Sequence, residues 1–118
     1  MKILGIGVDI VQNKRIRASI RNKAFIKRIY TKNEIELSYN IKDKIRFFSK
    51  RFAAKESLVK AIGTGFRNDI NFKDIQILNS KLGKPYYSNT KKISEIIKRR
   101  FKIRKFHLFL SITDEKDY

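Results

Sequence analysis

The chain has 118 residues, of which 42% are hydrophobic, so we expect residues 1–118 to form one domain around one core. It contains no cysteine, which excludes disulfide bonds and thiolate metal sites. Its 29 Lys and Arg against 11 Asp and Glu give a net charge of +18, and such a surface attracts anionic partners.

The first segment, Lys2 to Val11, predicts a strand because apolar residues alternate along it. One face carries Leu4, Ile6, Val8 and Ile10, and the other carries Ile3, Gly5, Gly7, Asp9 and Val11. Glycine inside a strand often marks close approach by a ligand or another backbone, so Asp9 is a candidate for a metal or phosphate site. A glycine-softened bend with a solvated Asp9 fits the same pattern. The apolar run is too interrupted for a signal peptide and too short to span a membrane, so we expect a cytoplasmic protein.

A basic helix is predicted next, from Asn13 to about Arg28. Lys14, Arg17 and Arg21 form a basic stripe on this helix, and Arg15 lies beside it. An ordinary solvated face would show the same pattern. Thr31 and Glu34 then have the spacing of a capping box, which predicts another helix start.

The segment from Phe47 to Ile62 predicts a long helix that ends at a cap formed by Gly63. Its buried stripe is predicted from the helical period as Phe48, Phe52, Val59 and Ile62. Glu56 and Lys60 lie one turn apart on the flank of that stripe, where pockets form. A surface salt bridge between the two is the alternative that the helix alone favours.

The rest of the chain, from Phe72 onward, is predicted to contain both strands and a helix. Phe72 to Leu78 predicts a strand, Asn79 to Pro85 a turn, and the segment after Thr90 an amphipathic helix. A last strand is predicted from the alternating residues Phe106, Leu108, Leu110 and Ile112. The pattern by itself supports a small mixed α/β domain.

Several motifs together resemble holo-acyl-carrier-protein synthases, the short, bacterial-type branch of the 4′-phosphopantetheinyl transferases. They are GIGVDIV at 5–11, TKNEIEL at 31–37, RFAAKESLVKAIGTG at 51–65, LGKPY at 82–86 and LSIT at 110–113. The resemblance implies an α+β fold in which an antiparallel sheet packs on a long helix. It also implies a homotrimer whose active sites lie between subunits.

The activity implied is transfer of the 4′-phosphopantetheine arm of coenzyme A to a serine of apo-acyl carrier protein, in support of fatty acid biosynthesis. By the resemblance, Asp9 and Glu56 hold Mg²⁺, which is typically bound by one or two carboxylates together with phosphate oxygens and water. Glu56 is then the group that accepts the serine proton, and Lys60 neutralises the leaving phosphate.

The resemblance also assigns binding residues. Gly63, Thr64 and Gly65 let the backbone approach coenzyme A, although such a turn also occurs as a plain helix cap. Arg51 is expected to bind the 3′-phosphate of coenzyme A, with Lys42 or Lys44 as a further contact. The turn at Lys84 and Pro85 is expected to lie near the cofactor. An acidic acyl carrier protein is expected to dock on the basic stripe, above all on Arg15 and Arg21.

The sequence departs from the family pattern in two places. Asp114 stands where many relatives carry His, and the sequence stops at Tyr118, where relatives continue into an apolar strand.

The alternative function is that of a small basic RNA-binding or ribosome-associated protein without catalytic activity, with Phe106 and Phe109 as stacking residues. The absence of a GXXG clamp or an aromatic RNP-like strand weighs against RNA, so we expect no nucleic-acid partner.

Overall fold

The computed structural model describes residues 2–67 and 70–118, and its elements surround one long helix. In chain order they are α1 (Asn13–Ser19), α2 (Lys23–Ile29), α3 (Lys32–Ser38), α4 (Lys44–Ile62), a 3₁₀ helix (Phe72–Asp74), β1 (Gln76–Asn79), β2 (Pro85–Ser88) and α5 (Lys91–Phe101). The predicted combination of helices with a small antiparallel sheet is confirmed.

The single basic helix predicted from Asn13 to about Arg28 is wrong, because the structure has two short helices there. The side chain of Asn22 accepts a hydrogen bond from the backbone N–H of Ala24 and so caps the start of α2. A side-chain cap of this kind competes with continuation of the preceding helix. The turn at Ile20 to Asn22 therefore separates α1 from α2.

Local capping signals predicted the helix ends well. The capping box is confirmed, with Thr31 accepting from the Glu34 backbone and Glu34 accepting from the Thr31 backbone. Gly63 ends α4 in the left-handed region at φ 88°, as predicted for a glycine cap. The start of α4 lies at Lys44 rather than Phe47 because the side chain of Asp43 caps it through the backbone N–H of Arg46.

The sheet is a hairpin of β1 and β2, paired from Gln76 with Ser88 to Asn79 with Pro85. The strand predicted from Phe72 to Leu78 is confirmed only from Gln76 onward, because Phe72–Asp74 forms the 3₁₀ helix. The turn predicted from Asn79 to Pro85 lies between the two strands, with its end residues in them, and β2 was not predicted. The turn is closed by hydrogen bonds from Ser80 N to Lys84 O (2.8 Å) and from Gly83 N to Ser80 O (2.9 Å). Gly83 takes φ 87°, which favours glycine and explains its place in the turn.

The predicted strands at Lys2–Val11 and at 106–112 are wrong. Neither segment forms a strand, since neither has backbone hydrogen bonds to a neighbouring strand among the described residues. A groove of about 690 Å³ lies between them. Instead, the first segment packs on α4, where a Cβ at Gly5 would overlap the carbonyl oxygen of Ala61 and a Cβ at Gly7 that of Ser57. The two glycines therefore serve close approach to another backbone, one of the two possibilities that the sequence left open.

Helix α4 buries apolar side chains in two clusters. One joins α4 to the hairpin and α5 and contains Ala54, Leu58, Val59, Ile62, Ile70, Ile75, Ile77, Ile93, Ile96 and Ile97. The other joins the first half of α4 to α1 and α2 and contains Val11, Ile16, Ile29, Tyr30, Phe47 and Phe48. Of the predicted stripe, Phe48, Val59 and Ile62 are buried and Phe52 is half-buried, so α4 lies in the orientation that its periodicity predicts.

A buried ion pair connects α4 to most of the other elements. The ammonium of Lys55 lies 2.7 Å from Glu34 Oε1, and both side chains are 0% exposed. Lys55 Nζ also donates to the carbonyls of Ile29, Phe72 and Ile75 at 2.7–3.0 Å. Burial lowers the pKa of Lys55, and the nearby carboxylate of Glu34 partly offsets this. The pair thus joins α2, α3, the 3₁₀ helix and the start of β1 to α4.

The Glu34 carboxylate is fully used as well. Its Oε1 accepts from the backbone of Thr31 (2.8 Å) and its Oε2 from the backbone of Ile77 (3.0 Å). Buried charges are tolerated when they are paired and hydrogen-bonded in this way.

We predict that Lys55→Met lowers the free energy of unfolding by about 3–5 kcal/mol, because it leaves the Glu34 carboxylate buried and unpaired. The double variant Lys55→Met/Glu34→Gln removes both charges and should be more stable than Lys55→Met alone. Urea denaturation followed by circular dichroism measures both, and Lys98→Met on the exposed face of α5 is the control. A loss from Lys55→Met no larger than that of the control would contradict the assignment.

Candidate active site

Asp9 and Lys60 meet beside the second half of α4. Lys60 Nζ lies 2.7 Å from Asp9 Oδ1 and 3.3 Å from the carbonyl oxygen of Val8. The Asp9 side chain is 13% exposed and that of Lys60 is 52% exposed, so the pair opens to solvent at the lysine. The ion pair of Lys60 is therefore with Asp9, and not the helical salt bridge with Glu56 that the sequence offered as an alternative.

Glu56 lies near both partners and is half-buried. Burial and the negative charge of Asp9 raise the pKa of the Glu56 carboxyl, and the cations Lys60 and Arg15 partly oppose this. The hydrogen bond to Asp9 and its charge raise the pKa of Lys60. The structure thus brings together the three residues that the sequence predicted as catalytic.

The two carboxylates are suited to a divalent cation. Besides burial, the negative charge of Asp9 raises the pKa of Glu56, so the two carboxylates repel each other. A cation between them would relieve this repulsion, and Mg²⁺ needs only one or two protein carboxylates when substrate phosphates and water complete its shell. A cluster of three or more potential metal ligands does not occur in the part of the chain that the structure describes.

The turn after α4 has an open backbone. Gly63 and Gly65 have φ values of 88° and 61°, and their N–H groups donate to the carbonyls of Val59 and Lys60. A Cβ at Gly65 would meet no atom within 4 Å, so the outer side of this turn is free. The predicted cofactor turn at Gly63, Thr64 and Gly65 therefore begins three residues after Lys60, with open space beside Gly65.

Arg51 lies on a different face of α4. It is nine residues before Lys60, which places the two side chains about 180° apart around the helix. Its residue is 4% exposed, its guanidinium carbon lies 3.8 Å above the Phe47 ring, and Nη2 donates to Asn79 Oδ1 at 2.7 Å. Asn79 in turn donates to the carbonyl of Gly83 at 3.0 Å.

Arg51 therefore groups with the hairpin turn that carries Lys84 and Pro85, and not with the Asp9 cluster of the same chain. Of the two lysines offered as further phosphate contacts, Lys44 donates to the carbonyls of Ser38 and Ile41. Lys42 is exposed, which leaves it the more available of the two.

A cleft of about 530 Å³ adjoins Asp9, between the first segment, α4 and residues 110–115. Asp114 lies on its wall and pairs with Lys50 at 3.3 Å. The negative charge of Asp114, which departs from the family pattern, is thus balanced by a cation of α4. Asn13 fixes the neighbouring chain by donating to the carbonyls of Glu115 and Lys116 at 3.1–3.2 Å.

The four basic residues predicted to dock a partner are all exposed, on α1 and in the turn after it. Ile16 anchors α1 in the second apolar cluster, and this places Arg15 close enough to lower the pKa of Glu56. The basic stripe therefore borders the Asp9 cluster.

Sequence reasoning missed two residues that organise this region, Lys55 and Asn79. Lys55 stands directly before Glu56, and a lysine beside another charged residue is normally expected at the surface and not in the core. The available signal was the position of Lys55 in the helical period, which places this lysine on the apolar side of the predicted helix. Asn79 was assigned only to the turn, and nothing in its neighbourhood in sequence indicates Arg51.

Comparison with known proteins identifies the family of this chain. Residues 5–113 match the model of the 4′-phosphopantetheinyl transferase superfamily. The chain is 60% identical to the holo-[acyl-carrier-protein] synthase of Pelagibacter ubique (strain HTCC1062) over 118 residues, which cover 100% of this chain and 92% of that protein. By sequence and fold, the chain belongs to the 4′-phosphopantetheinyl transferase superfamily.

Solved structures show the same fold. The holo-[acyl-carrier-protein] synthase of Neisseria meningitidis superposes with a TM-score of 0.76 at 37% identity, over 85% of this chain and 82% of that chain. That of Helicobacter pylori, solved in complex with coenzyme A, superposes with a TM-score of 0.68 at 31% identity, over 78% of this chain and 79% of that chain.

The raised pKa of Glu56 predicts a pH-dependent cost to stability. A carboxyl whose pKa is higher in the folded state is harder to ionise there, so it costs nothing below its unfolded pKa and its full penalty above its folded pKa. Glu56→Gln removes the penalty. We expect the variant to gain melting temperature over the wild type near pH 7, and the gain to vanish by about pH 4. Thermal denaturation across this range measures it, and a gain that grows toward low pH would contradict the assignment.

Proposed function

We propose that this chain transfers the 4′-phosphopantetheine arm of coenzyme A to a serine of apo-acyl carrier protein, in support of fatty acid biosynthesis. The products are holo-acyl carrier protein and adenosine 3′,5′-bisphosphate. The observation that carries the proposal is the meeting of Asp9, Glu56 and Lys60 in a member of this superfamily. The complex of the Helicobacter pylori relative with coenzyme A supports the choice of donor.

Asp9 and Glu56 would hold Mg²⁺ in this reaction. When bound, the cation would supply positive charge to the pyrophosphate, whose negative charge otherwise repels a nucleophile that approaches the phosphorus. The mutual repulsion of the two carboxylates supports this role.

The remaining steps belong to side chains of the protein. The serine hydroxyl oxygen forms a bond to the phosphorus that carries the pantetheine arm, and its proton passes to the carboxylate of Glu56, directly or through a water molecule. The bond from that phosphorus to the bridging oxygen breaks, and the electron pair leaves with adenosine 3′,5′-bisphosphate. Lys60 offsets the negative charge on this leaving group, so catalysis consists mainly of positioning and charge neutralisation.

The donor would be held by groups on two faces of α4. Lys60 and the turn Gly63, Thr64 and Gly65 take the pyrophosphate side. Arg51 and the turn at Lys84 and Pro85 take the 3′-phosphate side. These two groups lie on opposite faces of α4 in one chain. A single donor is therefore best held between the Lys60 face of one subunit and the Arg51 face of its neighbour.

A homotrimer with active sites between subunits accounts for this division. The exposed apolar residues of segments 2–11 and 106–112 support it, since Ile6, Val8 and Ile10 are 72–74% exposed and Phe109 is 81% exposed. An apolar stripe of this kind on a charged protein is typical of an interface. Analytical ultracentrifugation tests the assembly.

The partner would be an acidic acyl carrier protein that docks on Lys14, Arg15, Arg17 and Arg21. The position of Arg15 near Glu56 supports this, because a carrier on this stripe would bring its serine to the Asp9 cluster. We propose a cytoplasmic location, where both substrates are available. None of the described helices combines the length and apolar character that a membrane crossing requires.

Mass spectrometry of apo-acyl carrier protein incubated with the chain, coenzyme A and Mg²⁺ tests the proposed function. The expected result is a gain of one phosphopantetheine arm on the carrier. No gain, together with tight and salt-sensitive RNA binding, would favour a basic RNA-binding protein instead.

The metal role predicts that Asp9→Ala and Glu56→Ala each nearly abolish transfer while the far-ultraviolet circular dichroism spectrum is retained. Each removes one of the two carboxylates that would hold the cation. Chelation by EDTA should abolish the transfer activity of the wild type, and excess Mg²⁺ should restore this activity. Glu36→Ala, which removes an exposed carboxylate from α3, is the control. Full wild-type activity in EDTA would refute a metal requirement.

Lys60 is expected to act on the rate. Lys60→Ala should lower kcat by orders of magnitude and change KM for coenzyme A less, because the lysine faces charge that develops as the phosphate leaves. Lys32→Ala, an exposed lysine of α3, serves as control in the same steady-state assay. If kcat is unchanged, Lys60 is only the partner of Asp9.

Docking on the basic stripe predicts a selective effect on the carrier. Arg21→Glu should raise KM for the carrier and leave KM for coenzyme A nearly unchanged, and Arg15→Glu/Arg21→Glu should raise it further. The single variant is the cleaner test because Arg15 also affects Glu56. Added salt should weaken docking, since exposed charges are screened over about 8 Å at physiological ionic strength. Equal changes in both constants, or the same effect from Arg99→Glu on α5, would argue against docking at this stripe.

A further inference from the structure

Arg100, in the last turn of α5, contacts the end of α4. Its Nε donates to the carbonyl of Ile62 at 2.7 Å. Its Nη2 lies 3.0 Å from the point that a Cβ on Gly63 would occupy, so the guanidinium rests against the α-carbon of this glycine. No pattern in the sequence connects Arg100 with the Gly63–Gly65 turn.

The contact changes the electrostatics of that turn. The C-terminal end of a helix carries a partial negative charge of about half an elementary charge, which repels a phosphate. The carbonyls of Val59 and Lys60 are covered by the N–H groups of Gly63 and Gly65. Arg100 covers the Ile62 carbonyl and adds a full positive charge. The end of α4 is thus made suitable for an anionic ligand.

The guanidinium also retains donors for such a ligand. Nε is used by Ile62, whereas the N–H groups of Nη1 and Nη2 have no acceptor within residues 2–67 and 70–118. Arg100 is exposed, and the space beside Gly65 is open. Guanidinium groups bind phosphate oxygens through paired N–H donors of this kind.

We propose that Arg100 is a further donor-binding residue, whose guanidinium contacts a phosphate group of coenzyme A lying on the Gly63–Gly65 turn. The proposal rests on the proposed function of this site. It assigns α5 a role in binding and distinguishes Arg100 from its neighbour Arg99, which has the same charge and exposure but makes no side-chain hydrogen bond or ion pair to the described residues.

The test compares Arg100→Gln with the matched control Arg99→Gln in steady-state kinetics. Arg100→Gln should raise KM for coenzyme A about tenfold, the cost of one charge-assisted hydrogen bond, while KM for the carrier stays unchanged. Arg99→Gln should leave both constants close to wild type. Arg100→Lys keeps the charge but loses the paired donors, so its KM for coenzyme A should fall between the two.

Titration calorimetry with adenosine 3′,5′-bisphosphate gives a second readout that needs no turnover. Arg100→Gln should weaken its binding by a similar factor relative to Arg99→Gln. A purely structural cap predicts a lower melting temperature for Arg100→Gln with unchanged KM and Kd, and that result would overturn the proposal. Failure of the proposed function would be recognised separately, because the wild-type protein itself would then not modify the carrier.

Discussion

The buried pair of Lys55 and Glu34 is the constraint on which the rest of this structure depends. Lys55 points into the core, where its ammonium satisfies one carboxylate oxygen and three backbone carbonyls. Because both side chains are 0% exposed, loss of this pairing would leave a charge buried without a partner. The pair therefore fixes how α4 is rotated about its axis.

That rotation decides which residues of α4 can work together. Glu56 follows Lys55 in sequence, so it lies about 100° around the helix from the core, and Lys60 lies about 140° around. Both consequently face the first segment, which Gly5 and Gly7 allow to approach α4 closely enough for Asp9 to reach Lys60. Arg51, one turn before Lys55, shares its side of the helix and is directed to the hairpin. A site divided between two faces of one helix is the structural basis for the proposed active site between subunits.

Local signals in the sequence predicted much of this, and long-range pairing was where prediction failed. The capping box at Thr31, the Gly63 cap and the buried stripe of α4 depend on residues within a few positions, so they could be predicted. The division into α1 and α2 was missed because a single Asn22 cap outweighed an otherwise helical pattern. The alternation at Lys2–Val11 was real, but alternation describes one chain and does not supply a hydrogen-bonded neighbour. Asp9, Glu56 and Lys60 were predicted through the family motifs, whereas the contacts of Lys55, Asn79 and Arg100 join residues far apart in sequence.

We propose that the fixed α4 presents Glu56 beside Asp9 as a two-carboxylate site for a divalent cation. Electron paramagnetic resonance of Mn²⁺, titrated into the protein with adenosine 3′,5′-bisphosphate, measures this without turnover. We expect the Mn²⁺ bound by the wild type to be lost in both Asp9→Asn and Glu56→Gln, and to be retained in the control Glu36→Gln. Mn²⁺ binding of equal affinity in the wild type and in both site variants would contradict it.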